Sequence, residues 1–348
     1  MRNSGCLKKS MIACSESMHP LNLVRVLTIS LLFLCSPKCH ASAEPCFSSQ
    51  PSEMETLPCC EKTPVRFFII GEYLFWQANL SGLELNFGST SVIKGQTNGI
   101  SFLDSDEFDI DPSFDWKSGY RIGSGLQLPN SNVSLRVLWT QFKDTGHRST
   151  EADGLVDKGS CRVFLKQIDG IISYACAWSS VVLEPFIGVR AVQINNSVKS
   201  LITARISILP DTTAIGVTNF DDHQYFKGIG PILGFHGDWM IARGFGLYGK
   251  GAFGVLYGNY KIKFNDSEIY SAPLSAESTN RINKHLHRFN PNIDLALGIF
   301  WRSCIYDNIA INLNLGYEFH EYYNQSYLGS DRGDLSFNGI VASLGIAF

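Results

Sequence analysis

Charge is scarce in this sequence. Of 348 residues, 18% are charged and the formal net charge is −3, whereas roughly 25% is usual for soluble domains. No basic excess exists to hold a nucleic acid, so none is expected as a partner. Long apolar runs are also missing. Val26 to Cys35 is the most apolar stretch near the N-terminus, and it is well short of the roughly 20 residues a helix needs to cross a bilayer. Ten cysteines in a chain of this length are too sparse to be the framework of the fold. GxSxG and HExxH motifs are absent, and no CxxC pair occurs. The acidic run Asp104–Asp111 has Asp109 where a calcium loop begun at Asp104 needs glycine. These absences point away from an enzyme, and no cofactor or metal is expected. What the chain does have is 31 glycines and 12% aromatic residues, a composition that favours strands and turns.

The N-terminus reads as a targeting segment. Arg25 precedes the apolar run and the small residues Ala41-Ser42-Ala43 follow it, the layout of a secretory signal cleaved after residue 43. Residues 1–43 are therefore expected to be removed, with Met18 as an alternative start. Their loss takes away five basic residues and one acid, leaving 24 basic and 31 acidic residues, a net of −7. Residues 44–64 contain four prolines together with Cys46, Cys59 and Cys60, and show no apolar period. We expect a periplasmic leader whose cysteines are candidates for cross-linking, since adjacent Cys59 and Cys60 make poor partners for each other.

From Val65 onward the period is two. Phe289, Ile293, Leu295, Leu297, Ile299 and Trp301 alternate with residues such as Asn290, Asp294, Gly298 and Arg302. Ile309 to His320 repeats the design, with Leu313, Leu315 and Tyr317 against Asn314, Gly316 and Glu318. Between Phe114 and Leu128, Trp116, Tyr120 and Ile122 alternate with Asp115, Lys117 and Arg121. Arg136 lies opposite Leu135 and Val137, and Glu184 and Arg190 lie opposite Leu183, Ile187 and Val189. Such segments run to about 12–16 residues, longer than the 5–6 typical of soluble strands and sufficient for a tilted membrane strand. Aromatics recur near their ends, as an interfacial girdle requires. The sequence thus predicts an all-β fold, a transmembrane antiparallel barrel over residues 65–348, of about 12 strands within a range of 10–14. Segments 88–112, 145–160 and 266–286 are expected to be long polar loops. Gly244, Gly246 and Gly249 satisfy GxGxxG by spacing, but aromatic, glycine-rich sequence follows where a dinucleotide site needs a helix.

The last residues, Ile340 to Phe348, alternate again. A terminal Phe348 on such a strand resembles the assembly signal of bacterial outer-membrane barrels, which implies closure by this strand and the barrel-assembly machinery as a partner.

Five runs carry a family resemblance: GEYLFWQANLSGLELNF (71–87), FDWKSGYRIGSGL (114–126), LRVLWTQF (135–142), LEPFIGVRAVQI (183–194) and GIGPILGFHGDW (228–239). In this order they resemble the Legionella-type major outer membrane protein family of pore-forming proteins, which includes MOMP-like proteins of environmental chlamydiae. The resemblance implies an outer-membrane porin. It is also consistent with an envelope in which disulfides bridge cysteine-rich outer-membrane proteins. The family has no catalytic motif, so no functional residue carries over.

The expected role is passive diffusion of small polar solutes and ions through a mixed-charge lumen. Candidate pore-lining residues are Asp115, Lys117, Arg121, Arg136, Glu184, Arg190, Asp294, Arg302 and Glu318, both signs facing a narrow channel. The alternative is a non-conducting structural or adhesive envelope protein, cross-linked through its cysteines. Outer-membrane lipid is a partner in either case, and both readings are compatible with an oligomer.

Overall fold

The computed structural model describes residues 65–82, 113–129, 131–152, 155–209, 212–271, 277–306, 309–328 and 332–348. The expected signal and leader, with Cys46, Cys59 and Cys60, lie outside the described residues, as does the expected 88–112 loop. Period-two alternation places apolar side chains on one face of each strand, and every long alternating segment is a strand. The strands are β1 Arg66–Leu80, β2 Lys117–Gln127, β3 Val133–Ala152, β4 Leu155–Tyr174, β5 Cys176–Trp178 and β6 Val181–Leu209. They continue with β7 Thr212–Ala242, β8 Phe245–Tyr270, β9 Glu277–Tyr306, β10 Ile309–Ser326 and β11 Gly333–Ala347.

Each strand pairs antiparallel with its sequence neighbour, apart from the three-residue β5, which lies beside β6 only. Two further pairings, β1 with β11 and β4 with β6, close the sheet into a barrel with a ten-strand wall. The C-terminal strand closes it as the sequence predicts. Phe67 and Phe348 exchange backbone hydrogen bonds of 3.0 and 2.9 Å at the seam.

Among the described residues the wall has ten strands, the lower end of the predicted 10–14, because the residues went into length. Strands β6 to β9 have 29, 31, 26 and 30 residues. At ~3.3 Å per residue they reach well beyond a hydrocarbon layer ~25 Å thick. The expected 145–160 and 266–286 loops are corrected accordingly. Thr145 pairs with Arg162 and the ladder runs to Ala152 opposite Leu155, while β8 continues to Tyr270 and β9 resumes at Glu277. Polar side chains there misled the sequence reading, because a barrel wall above the lipid is wet outside and needs no apolar face.

Both barrel ends of the chain lie at one rim, opposite the long extensions of β6 to β9, and short turns join strands there. One of these is Arg243-Gly244, where Gly244 adopts φ 74°, a conformation that glycine alone takes freely. Strand β8 follows directly, so the glycine spacing here serves a turn. By the asymmetry of outer-membrane barrels, this rim is periplasmic and the long extensions of β6 to β9 are extracellular.

The outward face in the lower half is apolar. Ile69, Ile122, Val137, Ile187, Phe235, Leu297 and Leu315 are all exposed, as a surface in contact with lipid requires. Trp239, Trp301 and Phe348 lie toward the periplasmic rim, and Trp116, Trp139 and Tyr257 toward the opposite edge of this band.

Candidate functional site

Inside the barrel the side chains form three layers, counted from the periplasmic rim, and the third reaches above the last apolar row of the outer face. Nearest the periplasm is a wet vestibule. Arg136 and Glu184 pair there at 3.2 Å with side chains 20% and 25% exposed, and Arg302 pairs with Asp238.

Above it lies a belt of buried ions. Arg121 on β2 grips Glu318 on β10 with two hydrogen bonds, of 3.2 and 3.0 Å. The same guanidinium reaches Glu72 on β1, and its Nε donates to Thr140 on β3 at 3.0 Å. Arg190 on β6 uses all five of its N–H groups. It donates to Asp169 at 2.8 and 3.0 Å, to Asp294 at 3.1 and 2.6 Å, and to Asn292 at 2.7 Å. His320 joins the two clusters, with Nδ1 at 2.9 Å from Asp294 and Nε2 at 2.9 Å from Glu318. Only the imidazolium donates from both nitrogens. Gln167 donates to Asp169 at 2.7 Å and accepts from the Tyr322 hydroxyl. Arg121 and Arg190 are 4% and 1% exposed, so the lumen at this level is filled by these side chains.

The third layer is dry. Trp76, Phe142, Phe337, Tyr322, Phe226 and Tyr260 are at most 1% exposed. Trp76 and Phe142 lie 5.6 Å apart, Phe142 and Phe337 meet edge-on at 5.4 Å, and Phe226 lies 4.5 Å from Tyr260. The Arg121 guanidinium sits 5.6 Å from the Trp76 ring, tying the belt to this layer by a cation–π contact.

Sequence reasoning named nine candidates. The structure gathers Arg121, Arg190, Asp294 and Glu318 into the belt, and Arg136, Glu184 and Arg302 into the vestibule. Asp115 and Lys117 pair at 3.5 Å at the extracellular end of β2, 79% and 44% exposed. The candidates were expected to face one another across water; those of the belt are in direct contact with opposite charges. Glu72, Asp169, Gln167, His320, Tyr322 and Asp238 were missed. Their signal is the same alternation: Gln167 and Asp169 flank the outward Ile168, and Glu72 precedes the outward Tyr73. Among the described residues no group of three or more His, Cys, Asp or Glu could hold a metal ion.

No curated protein matches this chain. Among solved structures, it is similar to the outer membrane protease OmpT from Escherichia coli, at 10% identity over 84% of this chain and 99% of that one, TM-score 0.39. A major outer membrane protein from Thermus thermophilus matches at 10% identity over 82% and 99% of the two chains, TM-score 0.29. A Pseudomonas aeruginosa FadL homologue matches at 9% identity over 82% and 90%, TM-score 0.31. The family model described as Legionella pneumophila major outer membrane protein precursor matches residues 56–344, nearly the whole barrel. The chain belongs to this family of outer-membrane proteins.

Proposed function

We propose that the protein is an outer-membrane channel for small polar solutes and ions, closed in the state described here, which conducts when the belt and the aromatic layer above it part. The observation that carries this reading is the belt itself. Replacing a buried ion cluster by apolar side chains of similar volume is often neutral or stabilising, and the layer directly above shows that apolar packing fits this lumen. Ionisable groups held at membrane depth are costly, and they commonly line an ion or solute path. In this reading Arg121 and Arg190 are gate residues, while Arg136, Glu184 and Arg302 line the entrance.

The dry aromatic layer favours a second reading, a non-conducting structural or adhesive barrel that acts through its extracellular walls. Intermolecular disulfides from Cys46, Cys59 or Cys60 belong to this second reading. Single-channel recording of the folded protein separates the two. The channel reading expects discrete openings, and the double substitution Arg121→Ser with Arg136→Ser should enlarge them and shift selectivity toward cations. Silence from both proteins, with the barrel folded, supports the structural reading. A reducible ladder on gels, absent after alkylation of the leader cysteines, would support it further.

A further inference from the structure

The outward side chains of six strands change character across one rung of the ladder. Trp139, Ile168, Ala191, Ile229, Tyr257 and Phe289 are register partners in succession on β3, β4, β6, β7, β8 and β9. They form the last apolar row before the extracellular extension. Two residues further along each strand the row reads Gln141, Lys166, Gln193, Lys227, Asn259 and His287. In the next row Lys143, Lys261 and His285 are exposed, and in the one after it Arg162, His223 and Lys263. Among the described residues no carboxylate stands on this face until Asp221, a row beyond.

The collar is one-sided. On β10, β11 and β1 the row Tyr317, Ile340 and Phe75 is followed by Phe319, Asn338 and Gln77. The row beyond that is Glu321, Ser336 and Asn79. None of the residues in these last two rows carries a positive charge. The chain as a whole is slightly acidic, so a face of one positive sign is not a matter of composition.

A groove of about 400 Å³ straddles the boundary between the first two rows. Ile168, Ile229, Trp139 and Tyr257 line its apolar part, and Lys166, Gln193 and Lys227 its polar part. Both ammonium groups bend away from the lipid band, Lys166 Nζ to 5.2 Å from the Phe164 ring and Lys227 Nζ to 5.3 Å from the Tyr225 ring. Long cationic side chains at a membrane edge snorkel in this way. With one strand between them the two lysines are roughly 10 Å apart, one on each side of Gln193.

We propose that this collar is a binding site for a phosphorylated lipid of the outer leaflet. The acyl chains lie along the Trp139–Ile168–Ile229–Tyr257 row, and the phosphate groups sit between Lys166 and Lys227. Charge complementarity selects the headgroup, and the apolar part of the groove selects a lipid over a free anion.

The test uses the protein isolated from membranes in a neutral detergent, with lipid binding followed by native mass spectrometry. The probe is a glucosamine-based acyl lipid bearing two phosphates (lipid A), compared with its dephosphorylated form and with inorganic phosphate as competitor. A cation near a charged membrane surface contributes about 1 kcal/mol, or about fivefold in affinity. Lys166→Gln and Lys227→Gln should therefore each weaken binding about fivefold, and together about 30-fold. Lys166→Arg with Lys227→Arg should retain binding, and so should Arg243→Gln at the periplasmic turn. Unchanged affinity in the double glutamine variant, or an equal loss in Arg243→Gln, overturns the site. Equal binding of the dephosphorylated lipid, or competition by inorganic phosphate at the lipid's own concentration, overturns the ligand assignment.

Discussion

The Tyr322 hydroxyl donates to the Gln167 side-chain oxygen across the full width of the barrel. Four wall strands separate β10 from β4 in either direction around the wall, so the bond joins opposite sides. Both residues are buried, and the Tyr322 ring also meets Phe337 edge-on at 6.3 Å. Tyr322→Phe would keep the ring contact and leave the Gln167 oxygen without its donor. A buried acceptor left in this way costs about 1–3 kcal/mol. The expected outcome is a lower urea midpoint for unfolding, read by the gel shift of the unheated barrel. An unchanged midpoint would show that this cross-lumen bond adds nothing to stability.

Arg190 supports a sharper contrast. Arg190→Met would leave Asp169 without a cation and Asp294 with His320 alone, in a layer closed to water, at a cost of about 3–5 kcal/mol. Adding Asp169→Asn and Asp294→Asn should recover most of that loss, because the uncompensated charges go with the cation. If the triple variant is no more stable than the single one, packing rather than charge explains the damage.

Alternation made the barrel legible from sequence, because a wall with lipid outside must repeat every two residues. Leu295, Leu297 and Ile299 on β9 therefore identified their own face. The same logic placed Arg121, Arg190 and Glu318 on the inner face, but it has no term for what lies across the lumen. That Arg190 meets Asp294, 104 residues later, depends on strand number and stagger, which side-chain period does not encode. Nor did polarity distinguish loop from wall between Thr145 and Ser160, where the strands stand in water on their outer side.

Leu297 and Leu313 are 69% and 43% exposed on the outer face of β9 and β10, within the lipid band. Arginine at either position should cost about 2–4 kcal/mol near the midplane, falling toward the interfaces. Refolding into lipid vesicles across a denaturant series measures this. Ready labelling of cysteine at these positions by a water-soluble reagent in intact membranes would invert the assigned faces.

Cys161 lies inside the extracellular extension of β4, 1% exposed. Burial, reinforced by the nearby Asp144 carboxylate, pushes its thiol up to about 12. Since the thiolate is the reactive form, Cys161 should resist alkylation at pH 8 in the folded protein and react promptly in denaturant. Mass mapping of the modified peptide reads the result. Fast labelling under native conditions would mean that this wall opens readily.

Asp222 on β7 is 3% exposed in the same extension. Burial, with the Asp266 carboxylate adding repulsion, pushes its carboxyl up to about 7, and Asp266 is itself raised by burial and by Glu268. An unfolded aspartate titrates near 3.9. Between these two values the folded chain holds a proton that the unfolded chain has lost. Stability of the β7–β8 hairpin should therefore fall as pH rises from about 4 to about 7, and stay low above that. Asn265 donates its backbone N–H to Asp222 Oδ1 at 3.3 Å, a bond that an asparagine oxygen would also accept. Asp222→Asn should thus match the parent protein near pH 4 and protect the hairpin amides better at pH 8. Each unit by which the carboxyl is raised corresponds to about tenfold in the opening equilibrium. Protection factors from hydrogen exchange, taken at both pH values, measure the difference directly. Equal protection of the two proteins at pH 8 would show that water reaches this carboxylate, so that its ionisation carries no penalty.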